Sequence, residues 1–83
     1  MGNVAIVLKI MPEDMAGFEK LKSDVAATLH PYKMAEEPVA FGIVAIMATF
    51  IVEDGEGASS SLEEKASAIP NASGVETVSV DRI

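Results

Sequence analysis

Val4, Ile6, Leu8 and Ile10 occupy every second position near the start of the chain. Successive side chains of a strand point to opposite faces, so this period predicts a strand with one strongly apolar face. Pro12, Glu13 and Asp14 follow. A proline and two acids suit the first turn of a helix, where backbone N–H groups lack partners and the dipole end is positive. The period then changes. Met15, Phe18, Leu21 or Lys22, Val25 and Leu29 recur at steps of three and four, while Glu19, Lys20, Ser23 and Asp24 fall off the stripe. That spacing predicts an amphipathic helix. It ends at His30-Pro31, because a proline disfavours helical backbone in the residue before it.

Tyr32 to Ala35 reads as a short strand, and Glu36-Glu37-Pro38 as a connection, since proline brings no donor to a ladder. Phe41 to Val52 is the longest strand. It is apolar on both sides, which predicts a central position with some apolar surface on its open face. Glu53 to Gly57 reads as an acidic turn. Ser59, Ser60 and Ser61 offer helix caps, and the Ser60/Glu63 and Ser61/Glu64 spacings match a capping box. Leu62, Ala66 and Ile69 give the second helix a narrow apolar stripe, closed by Pro70-Asn71. Val75, Val78 and Val80 mark a last strand. The order β-α-β-β-α-β with right-handed crossovers predicts an α+β, ferredoxin-like fold, a four-stranded antiparallel sheet with two helices on one face.

Composition narrows the function classes. The chain has 83 residues, enough for one domain and too few for a deep ligand cavity, so function is expected at the surface or the termini. It contains no cysteine, which excludes disulfides, thiolate metal sites and thiol nucleophiles and fits an intracellular setting. The net charge of −7 opposes nucleic-acid and anionic-membrane binding and favours a basic protein partner. Met1-Gly2-Asn3 sets no positive region before the apolar stretch, so no secretory signal is expected. The longest apolar run, Pro38 to Val52, falls short of the roughly 18 residues that span a bilayer.

Candidate chemistry is sparse. His30 reads as a helix-end residue beside the negative end of the dipole. Glu36 and Glu37 would point opposite ways in an extended segment, which opposes a shared metal or acid-base role. Glu53, Asp54 and Glu56 lack the spacing and closing glutamate of a calcium loop. Met11, Met15, Met34 and Met47 read as core fillers. From residues alone, Phe41 reads as a core side chain at a strand start, and Arg82 as a solvated charge on a frayed end.

One ordered set of motifs changes that picture. Glu37-Pro38, then Phe41-Gly42, then a long apolar strand ending in Val52-Glu53-Asp54 resembles the central signature of the elongation factor 1-beta family. Lys9-Ile10-Met11-Pro12-Glu13 near the start, and a final strand ending in Arg82-Ile83, are similar to archaeal members. The resemblance covers the whole chain and rests on the joint order, since no single motif has the specificity of a phosphate loop. Eukaryotic members carry this domain at the end of longer chains, so the length points to the archaeal form, with residues 1–83 a single guanine-nucleotide exchange domain. The resemblance implies a cytoplasmic, non-enzymatic partner of elongation factor 1-alpha, the GTPase that brings aminoacyl-tRNA to the ribosome. It would release GDP so that GTP can bind, with no catalytic residue, cofactor or metal of its own. Phe41 with Gly42 matches a pair whose aromatic docks on the second domain of the GTPase. Arg82 with Ile83 matches a penultimate basic residue inserted near the magnesium and γ-phosphate region, where eukaryotic members usually carry lysine.

Other functions share such an architecture. An RNA-recognition module needs exposed aromatics on central strands and a basic surface. Phe41 and Phe50 would lie on opposite faces of a regular strand, and the charge has the wrong sign. An acylphosphatase-like hydrolase needs an arginine-bearing phosphate loop after the first strand, where Lys9 to Glu13 supplies methionine, proline and an acid. A small-molecule regulatory dimer that pairs edge strands is the alternative left open.

Overall fold

The alternating residues of Asn3–Pro12 form strand β1, in which Val4, Ile6, Leu8 and Ile10 are buried and the residues between them are half-buried. The computed structural model describes residues 2–53 and 57–83, apart from the side chains of Ala58 and Ser59. A single 3-10 turn (Met15–Gly17) leads into helix α1 (Phe18–Leu29), which buries Phe18, Leu21 and Val25. Strands β2 (Lys33–Ala40) and β3 (Ile43–Glu53), helix α2 (Ala58–Ser67) and strand β4 (Ala72–Arg82) complete the chain. The strands form one antiparallel sheet in the order β2-β3-β1-β4. The inward row of β1, the β3 residues Ile46, Ala48 and Phe50, the α1 stripe, and Ala66 and Ile69 make one core. Both helices therefore cover the same face, and the fold is the α+β, ferredoxin-like arrangement. Fully burying a side chain such as Leu8 or Leu21 contributes roughly 1.5–3 kcal/mol, so this layer holds the sheet together.

The central place of β3 is as the sequence implies. Val44, Ile46, Ala48, Phe50 and Val52 face the helices, while Ile43 and Ile51 leave apolar surface on the other side. His30 caps α1 in the left-handed region (φ 51°) and donates its N–H to Ala26 O at 3.2 Å, which ends the helix where Pro31 forbids another turn.

Four local expectations change. Pro12 is the buried last residue of β1, level with Ala72 of β4, and does not open the helix. Asp14 instead caps the 3-10 turn that leads into it, its side chain accepting from the Ala16 N–H at 2.9 Å. Glu36-Glu37-Pro38 belongs to β2, where Pro38 lies opposite Val44. The edge position explains this, since the missing proline N–H would have faced solvent. Phe41 and Gly42 form the β2–β3 turn, and β3 begins at Ile43. Finally, α2 begins at Ala58 after Gly57 (φ 77°), so Ser59, Ser60 and Ser61 lie inside its first turn rather than ahead of it. Ser61 N–H already bonds Gly57 O at 2.9 Å, and Glu63 accepts from the Thr77 hydroxyl on β4 instead of closing a capping box. The acidic turn expected over Glu53 to Gly57 lies, at 54–56, outside the described residues.

Candidate functional site

Ala40 pairs with Ile43, so the β2–β3 hairpin turns in only two residues, Phe41 and Gly42. Such turns follow the right-handed twist of strands best when both central residues have positive φ. Gly42 (φ 78°) adopts that conformation freely, but Phe41 (φ 50°) is a bulky residue in a region few non-glycine side chains enter. The ring gains nothing locally in return, because Phe41 is 101% exposed. Val39 and Ile43 flank it as further exposed apolar side chains. The core placement considered for Phe41 is thus replaced by a projecting one.

A polar bracket stands behind this end of the sheet. Asn71, itself at φ 73°, accepts the Asp14 N–H on Oδ1 (2.9 Å) and the Glu13 N–H on its carbonyl (2.8 Å). Its Nδ2 donates to Asp14 O at 3.0 Å. Gly17 fits against it because a Cβ there would come within 2.9 Å of Asn71 Nδ2. The Val44 N–H donates to Met15 Sδ at 3.5 Å. Sequence reasoning assigned Asn71 only to a helix end and Met15 only to packing. Pro70-Asn71 signals a turn, but nothing local signals a partner 57 positions away.

Arg82 and Ile83 stand at the other end. Arg82 is the last residue of β4 and lies opposite Val4 of β1, and the Ile83 N–H donates to Asn3 O at 3.0 Å. The end is therefore held in register by its backbone and is not frayed, while both side chains are exposed. A bulge between Val7 and Leu8 on the β1 register adds Val78 to β4, and Val78, Val80 and Ile83 all expose apolar surface. Phe41 and Arg82 are not brought together. Ile43 lies about nine positions along the β1 frame from Val4, roughly 30 Å at about 3.3 Å per residue. The molecule measures 41 × 21 × 17 Å, and its two candidate contacts sit near opposite ends of the long axis.

The remaining surface offers less. A cleft of about 520 Å³ lies between α1 and the β2 edge, lined by residues including Ala26, Met34, Lys22 and Glu36. Lys22 Nζ reaches Glu36 at 2.6 Å and Glu19 at 3.6 Å, and the Glu36 hydrogen bond, aided by the charge of Glu19, holds its pKa above the ordinary lysine value. Glu36 and Glu37 point to opposite faces of β2, so they form no pair. Among the described residues no cluster of three or more His, Cys, Asp or Glu could hold a metal ion, and no helix is long and apolar enough to cross a membrane. Phe50 is buried and Phe41 sits in a turn, so the described open face lacks the paired aromatics of an RNA platform.

Residues 5–83 match the family model of the EF-1 guanine nucleotide exchange domain. The chain is 40% identical to elongation factor 1-beta of Methanobrevibacter smithii, over 100% of this chain and 99% of that protein. It is 46% identical to elongation factor 1-beta of Methanosarcina mazei, over 96% and 93% of the respective chains. Elongation factor 1-beta of Methanocorpusculum labreanum is 40% identical over 100% and 99%. A domain match over nearly the whole chain and full-length similarity at this level place it, with its ferredoxin-like fold, in the elongation factor 1-beta family of EF-1 guanine nucleotide exchange domains.

Proposed function

We propose that this chain accelerates GDP release from elongation factor 1-alpha in the cytoplasm, so that GTP can reload, and that residues 1–83 act as one exchange domain. The observation that carries the reading is the placement of Phe41. Its left-handed backbone costs on the order of 1–2 kcal/mol, and its ring is wholly in water. An outlier of this kind is kept where it serves a contact. An aromatic projected from a tight turn can anchor an interface, and the constrained backbone leaves less chain freedom to lose on docking. Phe41 and Gly42 dock on the GTPase, and Arg82 with Ile83 reaches its nucleotide site from the other end.

The chemistry needs no acid, base or nucleophile on this chain, because no bond is made or broken. GDP is held in such GTPases by a magnesium ion, a P-loop lysine and backbone donors around the phosphates. A guanidinium brought against those groups competes for the magnesium's ligands without providing its coordination. Being planar and five-donor, it would do so by bidentate hydrogen bonding to carboxylate or phosphate oxygens rather than as a point charge. Factor and nucleotide then weaken each other's binding equally, as linkage requires.

The test is release of a fluorescent GDP analogue from an archaeal elongation factor 1-alpha, with the full chain and with Arg82-Ile83 deleted. The expected result is acceleration by the full chain and little by the deletion variant. Equal acceleration by both would remove Arg82 from the mechanism. No acceleration by the full chain would overturn the reading.

A further inference from the structure

The register between β1 and β3 runs from Asn3↔Glu53 to Ile10↔Ile46 and stops there. Val44 is the next β3 residue whose N–H turns toward β1, since N–H groups alternate sides along an antiparallel strand. Across from it β1 has reached Pro12, which pairs on its other side with Ala72. The Val44 N–H goes instead to Met15 Sδ, at 3.5 Å. A thioether is a weak acceptor, yet this one comes from a side chain that also packs on the core. Met15 in turn sits on the 3-10 turn that Asp14 caps and Asn71 brackets.

We infer that Met15 is a positioning residue for the exchange function: its sulfur ties the base of the β2–β3 hairpin to the start of α1 and so fixes the direction in which Phe41 projects. The hairpin needs such a tie. Beyond Ile46 it has no β1 partner, and β2 is an edge strand with Pro38 opposite Val44. From Val44 to the turn, the Met15 contact is the hydrogen bond that leads from the hairpin back to the body of the domain among those described. A loosened hairpin would keep Phe41 exposed but spread its orientations, and docking would then cost more entropy. The inference rests on the proposed role of Phe41 in binding the GTPase.

The test compares Met15→Leu, which keeps volume and loses the acceptor, with Met15→Gln, which restores an acceptor of similar length. Two readouts are used: hydrogen exchange and the chemical shift of the Val44 amide in the free protein, and the concentration of factor giving half-maximal GDP release. In Met15→Leu the Val44 amide is expected to exchange faster and the half-maximal concentration to rise about two- to fivefold, the weight of one modest hydrogen bond. The maximal release rate should stay unchanged, and Met15→Gln should recover both readouts. An unaltered Val44 amide in Met15→Leu would overturn the tie itself. A faster amide with an unchanged half-maximal concentration would overturn its link to docking. If the unaltered chain fails to release GDP, the exchange reading falls, and the Val44 amide still decides whether Met15 holds the hairpin.

Discussion

The two ends of the sheet are built on different principles. At the Phe41 end the backbone is forced: two successive residues have positive φ, and Met15, Asp14 and Asn71 brace the strands from behind. At the Arg82 end the backbone is ordinary extended chain, held by pairing with Val4 and by the Ile83–Asn3 hydrogen bond. One end projects an exposed aromatic ring from a constrained turn, the other presents exposed side chains on a strand terminus. An aromatic on a constrained turn suits affinity, because less backbone freedom is left to lose on docking. A long cationic side chain next to the chain end suits reaching into a nucleotide site. In this reading the first end sets how tightly the factor binds and the second sets how fast nucleotide departs.

The largest expected effect breaks that division directly. Deleting Arg82-Ile83 should lower the maximal GDP-release rate about 100-fold, because losing one partner of a desolvated charge contact costs roughly 2–5 kcal/mol. The half-maximal concentration should move far less. Phe41→Ala should do the reverse, raising the half-maximal concentration about 30-fold, as an aromatic anchor worth about 2 kcal/mol would, with the maximal rate kept. Steady-state titrations of factor against a GDP-loaded GTPase read both quantities. If the two variants alter the same quantity, the ends do not divide the work.

Next in size is Asn71→Ala. It removes both side-chain hydrogen bonds to Asp14 and sets an alanine at φ 73°. The expected loss is about 2 kcal/mol, or roughly 10 °C in the melting temperature of a domain this size. Asn71→Gly, which relieves the backbone but not the lost bonds, should recover part of it. Equal losses in the two variants would show that φ carries none of the cost.

The legibility of the chain follows the same divide. β1, α1 and β3 declare themselves because each buries one face against a shared core, and burial enforces period. β2 does not: it is an edge strand with solvent on its outer side, so Glu36, Glu37 and Pro38 are tolerated and the period fades. At the start of α2 the three serines suggest caps, but a glycine turn at Gly57 sets the first helical bond before any serine can cap it. At the site, Glu36-Glu37-Pro38 reads as a connection and Phe41 as the start of a strand, and because Phe-Gly is not a usual two-residue turn pair the turn stays hidden. In the sequence, the roles proposed for Phe41 and Arg82 are legible only through the resemblance. Their separation by the sheet's length, and the Met15 and Asn71 contacts, are products of tertiary register that no local window contains.

A smaller effect of opposite sign sharpens the comparison. Phe41→Asn gives the hairpin the Asn-Gly pair that two-residue turns prefer. Since the Phe41 ring buries nothing, the substitution should raise stability by about 0.5–1 kcal/mol while docking weakens as in Phe41→Ala. Chemical denaturation by urea measures the first change, and the release titration the second. A stability loss would mean that the ring packs on something in solution and would revive its reading as a structural side chain.

The smallest effect concerns the brace on the other side of the hairpin. Lys22 on α1 bonds Glu36 on β2 at 2.6 Å, and that bond, with the charge of Glu19, raises the Lys22 pKa above its ordinary value of 10.5 while partial desolvation works against it. A raised folded-state pKa makes the contribution fully present below pH 10.5 and lost as pH rises through the folded value. Because the pair is exposed, the contribution is small and screened by salt. The melting temperature of the unaltered chain should therefore exceed that of Lys22→Met slightly at pH 8, and the gap should close as the solution is made more alkaline than pH 10.5 or when salt is added. Amide protection should fall in β2 but not around Val4 and Arg82, since the brace touches only the half of the sheet that leads to Phe41. A gap that persists in strong alkali and high salt would assign the role of Lys22, whose ammonium lies 5.7 Å from the Phe18 ring centre, to its alkyl stem rather than to its charge.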